Sequence, residues 1–200
     1  MGVVFVPVFI GVCSLIAFAI RQSWNLFRYF MEGAAMYKIA RRRGLDNPWW
    51  AWVPLLNSWL RGRIADQYQY LVYGRLTRRK NRLLNTKIIQ QVYGVVGWLC
   101  YAVAAVIMVL VGYEVKVADG WMPIAMAALG IGILAMLAQK IPTIILKVHT
   151  YIASYDLFAS SKPQKENKFL VLSIIFPVLL PFFIFSCRKR DDGMPAQADV

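Results

Sequence analysis

Four stretches of this chain contain no charged residue: 1–20, 88–113, 120–139 and 169–187. Their lengths of 20, 26, 20 and 19 residues match the roughly 20 apolar residues that a helix needs to cross a bilayer core of ~30 Å. Inside lipid every backbone N–H and C=O must be satisfied within the protein, which leaves helices and closed barrels. A soluble domain is usually about half apolar and a quarter charged. Here 59% of residues are apolar and 16% charged, with a mean hydropathy of +0.51, which argues against a soluble globule. The sequence predicts an all-α, polytopic membrane protein forming one domain over 1–200. Four transmembrane helices are expected near 2–22, 86–112, 121–146 and 168–187. They are joined by a cytoplasmic, interfacial segment 23–85 and followed by a polar tail 188–200.

The charges that the windows lack are concentrated between them. Segment 21–87 holds 14 Lys/Arg and three acids, a net of +11. Loop 114–119 carries a net of −1, and segment 140–168 a net of +3. Segments rich in Lys and Arg stay on the cytoplasmic side. The first window therefore runs from outside to inside, the second inside to outside, and the third back in. Nothing positive precedes the first window, so it reads as an uncleaved span rather than a signal peptide. The last window resists this pattern. A full crossing would put Arg188, Lys189 and Arg190 outside, whereas a re-entrant path broken at Pro177 and Pro181 would keep them inside. Nineteen helical residues reach only ~28 Å, enough for one crossing, which favours the four-span arrangement.

The cytoplasmic half is not a simple loop. Asn47–Leu60 is uncharged and carries Trp49, Trp50, Trp52 and Trp59. Fourteen residues are too few to span, and Trp prefers the headgroup level, so these four read as interfacial anchors. Arg41-Arg42-Arg43-Gly44 reads as the basic, glycine-capped end of a helix. Arg75, Arg78, Arg79 and Arg82 fall at i, i+3, i+4 and i+7, on one face of a helix entering the second span. Such a cluster just inside a membrane reads as a contact for anionic lipid headgroups. No recognition motif supports nucleic acid. After the third span, Ile141, Ile144, Ile145, Val148, Ile152 and Tyr155 keep helical spacing, predicting an amphipathic extension with Lys147, Thr150 and Ser154 on the opposite face.

Chemistry is sparse. Cys13, Cys100 and Cys187 are an odd, scattered set that reads as buried small hydrophobes. No metalloprotease, phosphate-loop, dinucleotide or nucleophile-elbow pattern occurs. The single histidine excludes a multi-histidine metal site. No catalytic, cofactor-binding or metal-binding residue is assigned, and no cofactor is expected. The weak functional candidates are Asp66, among basic neighbours, and the pair His149 and Asp156. That pair lies seven residues apart, ~10 Å along a helix.

The stretch 37–70, YKIARRRGLDNPWWAWVPLLNSWLRGRIADQYQY, resembles a family of small uncharacterised multi-pass membrane proteins of anaerobic Gram-positive bacteria. So does 151–195, with its Tyr-rich helix, apolar block and closing RKRDDGMP. The resemblance implies a bacterial plasma-membrane location and supplies no established activity. The expected function is that of a non-catalytic scaffold, sensor or partner subunit. Its expected partners are anionic lipid and either another membrane protein or further copies of itself. The alternatives are a small oligomeric transporter or channel subunit and, behind it, a membrane enzyme acting on lipid-like substrates.

Overall fold

A computed structural model describes residues 5–112 and 121–195, with side chains for 13–110 and 121–195. The described residues are helical throughout, with no strand. Helix α1 spans Phe5–Arg42, followed by a 3-10 turn at Pro48–Trp52, α2 at Pro54–Tyr73, α3 at Arg79–Gly112, α4 at Trp121–Ala138 and α5 at Lys140–Ser161. A second 3-10 turn leads into α6 at Glu166–Ile175. A third, at Pro177–Leu179, separates it from α7 at Leu180–Cys187. The expected start of the first span and the 114–119 loop lie outside the described residues.

Two helices are long and apolar enough to cross a membrane, Arg79–Leu110 and Trp121–Ser161, with mean hydropathies of 2.2 and 2.0. The second is interrupted at Gln139. Pro142 has no N–H to give the Ala138 carbonyl, so one bond of the ladder is missing there, while Gln139 keeps helical φ −59°, ψ −23° and the Thr143 amide still reaches its carbonyl at 3.2 Å. Helices α3 and α4 form an antiparallel hairpin whose backbones meet at glycines. A Cβ on Gly132 would lie 3.4 Å from the Gly97 carbonyl oxygen. Small residues permit this approach in lipid-facing helix pairs. At the base of the hairpin Gln90 donates to Thr143 Oγ1 (3.0 Å), and Gln139 donates to the Gln90 carbonyl (3.3 Å).

The fourth expected span is not a single helix. Phe176 precedes Pro177, a position where helical backbone is disfavoured, and it adopts φ −121°, ψ 84°. The chain then reverses. Phe169 of α6 stacks on Phe183 of α7 with centroids 4.5 Å apart and planes 6° from parallel. In one straight helix those rings would stand ~21 Å apart. Lys162 Nζ donates to Ser186 Oγ across the mouth of the same hairpin (3.3 Å). Pro181 sits in the first turn of α7, where its missing N–H costs nothing. The length argument for a full crossing fails because two prolines turn the segment into a pair of short helices.

The packed core lies in the basic half of the molecule. Ala35, Met36, Ile39 and Ala40 of α1 meet Leu60 and Ile64 of α2, Leu157 and Phe158 of α5, and Leu180, Ile184 and Cys187 of α7. The tail closes this core. Asp191 pairs with both Arg42 and Arg43, and the Gly193 amide donates to the Ser160 carbonyl (3.1 Å). Above the core the surface inverts. Leu15, Ile16, Phe18 and Ile20 of α1, most of α3 and most of α4 are exposed, with 17% of each candidate span's apolar window buried. Helix α5 is divided along its length. The isoleucines at 141, 144, 145 and 152 are exposed, as is Lys147, whereas the last turns are buried with apolar and polar residues alike, Leu157 and Phe158 beside Ser154 and Asp156.

Two glycines test this packing in opposite directions. A Cβ on Gly62 would fall 2.5 Å from Lys80 Cα, inside the backbone of α3, while a Cβ on Gly130 meets nothing within 4 Å. Gly62→Ala is expected to lower stability by about 1–3 kcal/mol through overpacking. Gly130→Ala is expected to raise it by roughly 0.5–1 kcal/mol. Thermal unfolding of the detergent-solubilised variants reads both signs.

Candidate functional site

A cavity of about 530 Å³ opens where α1, α2, α3, α5 and the α6–α7 hairpin converge. Its size falls within the range of small-molecule sites, roughly 300–1,000 Å³. Its lining is more highly charged than such sites usually are. Arg28 and Glu32 come from consecutive turns of α1, Arg61 from α2, Lys87 from α3 and Lys147 from α5. Four cations thus face one carboxylate. Tyr151, Leu146, Pro177 and Leu180 supply apolar edges.

Glu32 organises the cationic side. It accepts from Arg28 Nε at 2.9 Å along its own helix and from Arg61 Nη2 at 2.8 Å across to α2. Burial alone would push the Glu32 carboxyl up, but the guanidiniums of Arg61 and Arg28 outweigh it and hold it below the ordinary carboxylate value of 4.5. Glu32 is therefore an ionised strut at neutral pH and not a proton carrier. Arg61 is nearly inaccessible, at 6% exposure, and its Nε is buried without a hydrogen-bond partner. Lys87 reaches only the Gln90 amide oxygen, at 3.5 Å. Among the described residues, neither Lys87 nor Lys147 forms an ion pair.

The candidates read from the sequence are placed elsewhere. Asp66 caps α3 from the neighbouring helix α2. It accepts from the Arg79 amide (3.0 Å), the Lys80 amide (3.1 Å) and the Thr77 hydroxyl. This satisfies N-terminal donors that the helix itself leaves free. Asp156 is buried against Gln69 Nε2 (2.9 Å) and the Arg79 guanidinium. His149 Nδ1 lies 2.8 Å from the Ile145 carbonyl of its own helix. Asp66 and Asp156 thus hold Arg79 by its amide and its guanidinium, while His149 is bonded within its own helix. Among the described residues no three His, Cys, Asp or Glu side chains gather as a metal site.

The expected arginine face does not form as a unit. Helix α3 begins at Arg79, so Arg75 and Arg78 lie in the preceding extended turn, and Arg79 is turned to Asp156. Arg75, Arg78 and Arg82 remain exposed. The four tryptophans also divide. Trp49 and Trp52 are exposed, while Trp50 and Trp59 pack edge to face with centroids 4.9 Å apart. The Trp59 ring also faces Arg63, whose guanidinium carbon lies 5.2 Å from the centroid.

The sequence reading named Lys147, Thr150 and Pro177 without giving any of them a place in a site, although one signal was present. Glu32 is the first acid in the chain and stands four residues after Arg28, a spacing that places both on one helix face. Comparison with known proteins adds nothing to the geometry: the chain matches no family model, no curated protein and no solved structure.

Two measurements follow from the Glu32 pair. Glu32→Gln leaves Arg61 buried without its counter-charge and is expected to cost about 3–5 kcal/mol at neutral pH. The pH dependence has a definite sign. A carboxylate whose folded pKa is depressed contributes stability above its unfolded value, and that contribution is lost as pH falls through the folded pKa. The stability gap between wild type and Glu32→Gln should be full above about pH 5 and shrink steadily as pH drops below 4.5. Unfolding followed by tryptophan fluorescence across that range measures it.

Proposed function

We propose that this chain is a non-catalytic integral membrane protein of a bacterial plasma membrane, serving as a scaffold, sensor or partner subunit with its basic layer in the cytoplasm. In this reading α1, α3 and α4 cross the bilayer with the N-terminus outside. The α6–α7 hairpin enters from the cytoplasmic side and returns, keeping Arg188, Lys189 and Arg190 with the rest of the positive charge. The bacterial source rests on the resemblance of 37–70 and 151–195 alone.

The observation that carries the membrane reading is the exposure of apolar side chains along α3, α4 and the first half of α5. Ile141 is 65% exposed and Ile144 63%, and only 17% of each candidate span's apolar window is buried. In water this arrangement would leave far more contiguous apolar surface than a monomer tolerates. In lipid the outer face meets its own kind, and the polar groups find partners inside. The position of the charges argues against a transporter. They gather in one layer, and stretches 88–110 and 121–138 contain none, so no charged path continues to the far side. The structural roles of Asp66 and Asp156 at Arg79, and of His149 within its own helix, argue likewise against an enzyme.

Membrane embedding predicts that the protein stays in the pelleted fraction after an alkaline carbonate wash; release into the supernatant would overturn it. Orientation is read by single cysteines on a cysteine-free background. Positions 80 and 189 should both resist an impermeant thiol reagent in intact cells and react after permeabilisation. Labelling of 80 from outside would reverse the orientation, and labelling of 189 alone would restore a fourth crossing.

A further inference from the structure

We propose that the cavity between α1, α2, α3, α5 and the hairpin is a binding site for a phosphate-bearing anion, occupied by the headgroup of an anionic phospholipid. The inference rests on the membrane reading above but makes a separate claim. It places the lipid in a built pocket, and not on the arginines before α3.

Three observations point to an anion. Arg28, Arg61, Lys87 and Lys147 line the cavity against Glu32 alone, leaving three positive charges in excess. Glu32 is already occupied by two of the arginines, so Lys87 and Lys147 have no carboxylate of their own. Arg61 lines the cavity on a side chain that is 6% exposed, and its Nη2 is held by Glu32. Two ammonium groups set beside guanidiniums match the oxygens of a phosphate.

Two further observations favour a lipid over a free ion. Beside neutral polar residues such as Asn57, Gln90 and Thr143, the lining has an apolar edge, formed by Leu146, Pro177 and Leu180. Exposed Ile174, Ile175, Phe176 and Val178 flank that edge at the hairpin tip. A headgroup seated among the cations would lead its acyl chains out over this surface, so one molecule satisfies both halves of the site.

Native mass spectrometry of the full chain in detergent tests the proposal, with phosphatidylglycerol, phosphatidylcholine and inorganic phosphate as probes. Wild type should retain phosphatidylglycerol in preference to phosphatidylcholine. Lys87→Gln with Lys147→Gln should weaken that retention about 25-fold, fivefold for each charge. Lys87→Arg with Lys147→Arg should restore it, provided the melting temperatures of all variants agree within a few degrees. Arg75→Gln, Arg78→Gln and Arg82→Gln together should change it little. Equal retention by wild type and the double Gln variant overturns the proposal, as does loss confined to the triple arginine variant or indifference between the two lipids. Inorganic phosphate that binds alone and displaces the lipid at equal concentration would assign the site to the free anion and overturn the lipid. Release of the protein by carbonate with selective lipid retention intact would sink the membrane reading and leave the site standing.

Discussion

The arginines turned into this bundle are tolerable because a carboxylate meets each of them. Arg61 is met by Glu32, Arg43 by Asp191 and Arg79 by Asp156. A buried guanidinium without such a partner carries a desolvation penalty of several kcal/mol, and a pair gives back enough to be tolerated only when geometry and hydrogen bonds are good. Arg43 shows both halves. Burial pulls its basicity down, and Asp191 pulls it back up. Each of these pairs joins segments distant in sequence: α1 to α2, α1 to the tail, and α3 to α5. With ten acids set against 23 bases, much of the acid inventory is spent on cross-links, and the surplus positive charge is left on the surface and in the cavity.

The same economy explains why the helices are inverted where they leave the core. A helix with isoleucines on one face and Thr143, Thr150 and Ser154 on the other can point either way. In this chain the polar face finds cross-helix partners, such as the Gln90 amide at Thr143, and the branched apolar face is turned outward. Ser154 returns its hydroxyl proton to the Thr150 carbonyl at 2.7 Å, so even a fully buried serine is satisfied within one turn. Packing is then left to small residues, at Gly97 and Gly132, where dispersion contacts between backbones take the place of a hydrophobic core.

The helical class, the two long apolar helices and the glycine end of α1 near Arg42 were legible because each depends on local pattern: charge-free length, periodicity and a cap. The amphipathic extension to Ser161 was legible for the same reason. Its direction was not, since periodicity says that two faces differ without saying which one is buried. The hairpin was half-legible. Pro177 and Pro181 were visible, but length alone favoured a crossing, and the stacking of Phe169 on Phe183 is a contact between residues that no local pattern pairs. The arginine series assumed helix from Arg75, whereas α2 ends at Gly74 with φ 65° and α3 begins only at Arg79. Asp66 stood out only for its basic neighbours, whereas its donors are the Arg79 and Lys80 backbone amides and the Thr77 hydroxyl. The cavity was invisible because its charged residues come from four separate helices. Each looked like an ordinary member of a basic segment, and only their convergence gives them meaning.

The return of the tail to Arg42 and Arg43 has a consequence for biosynthesis. Arg43 and Asp191 are separated by 148 residues, and ribosomes add roughly 5–20 residues per second. The cationic end of α1 therefore waits on the order of 7–30 seconds for its counter-charge, while α2, the α3–α4 hairpin and α5 are made and placed. Closure of the core is a late event. A chain that stopped short of Asp191 would hold α1 to α7 and still lack the latch that joins the first helix to the tail.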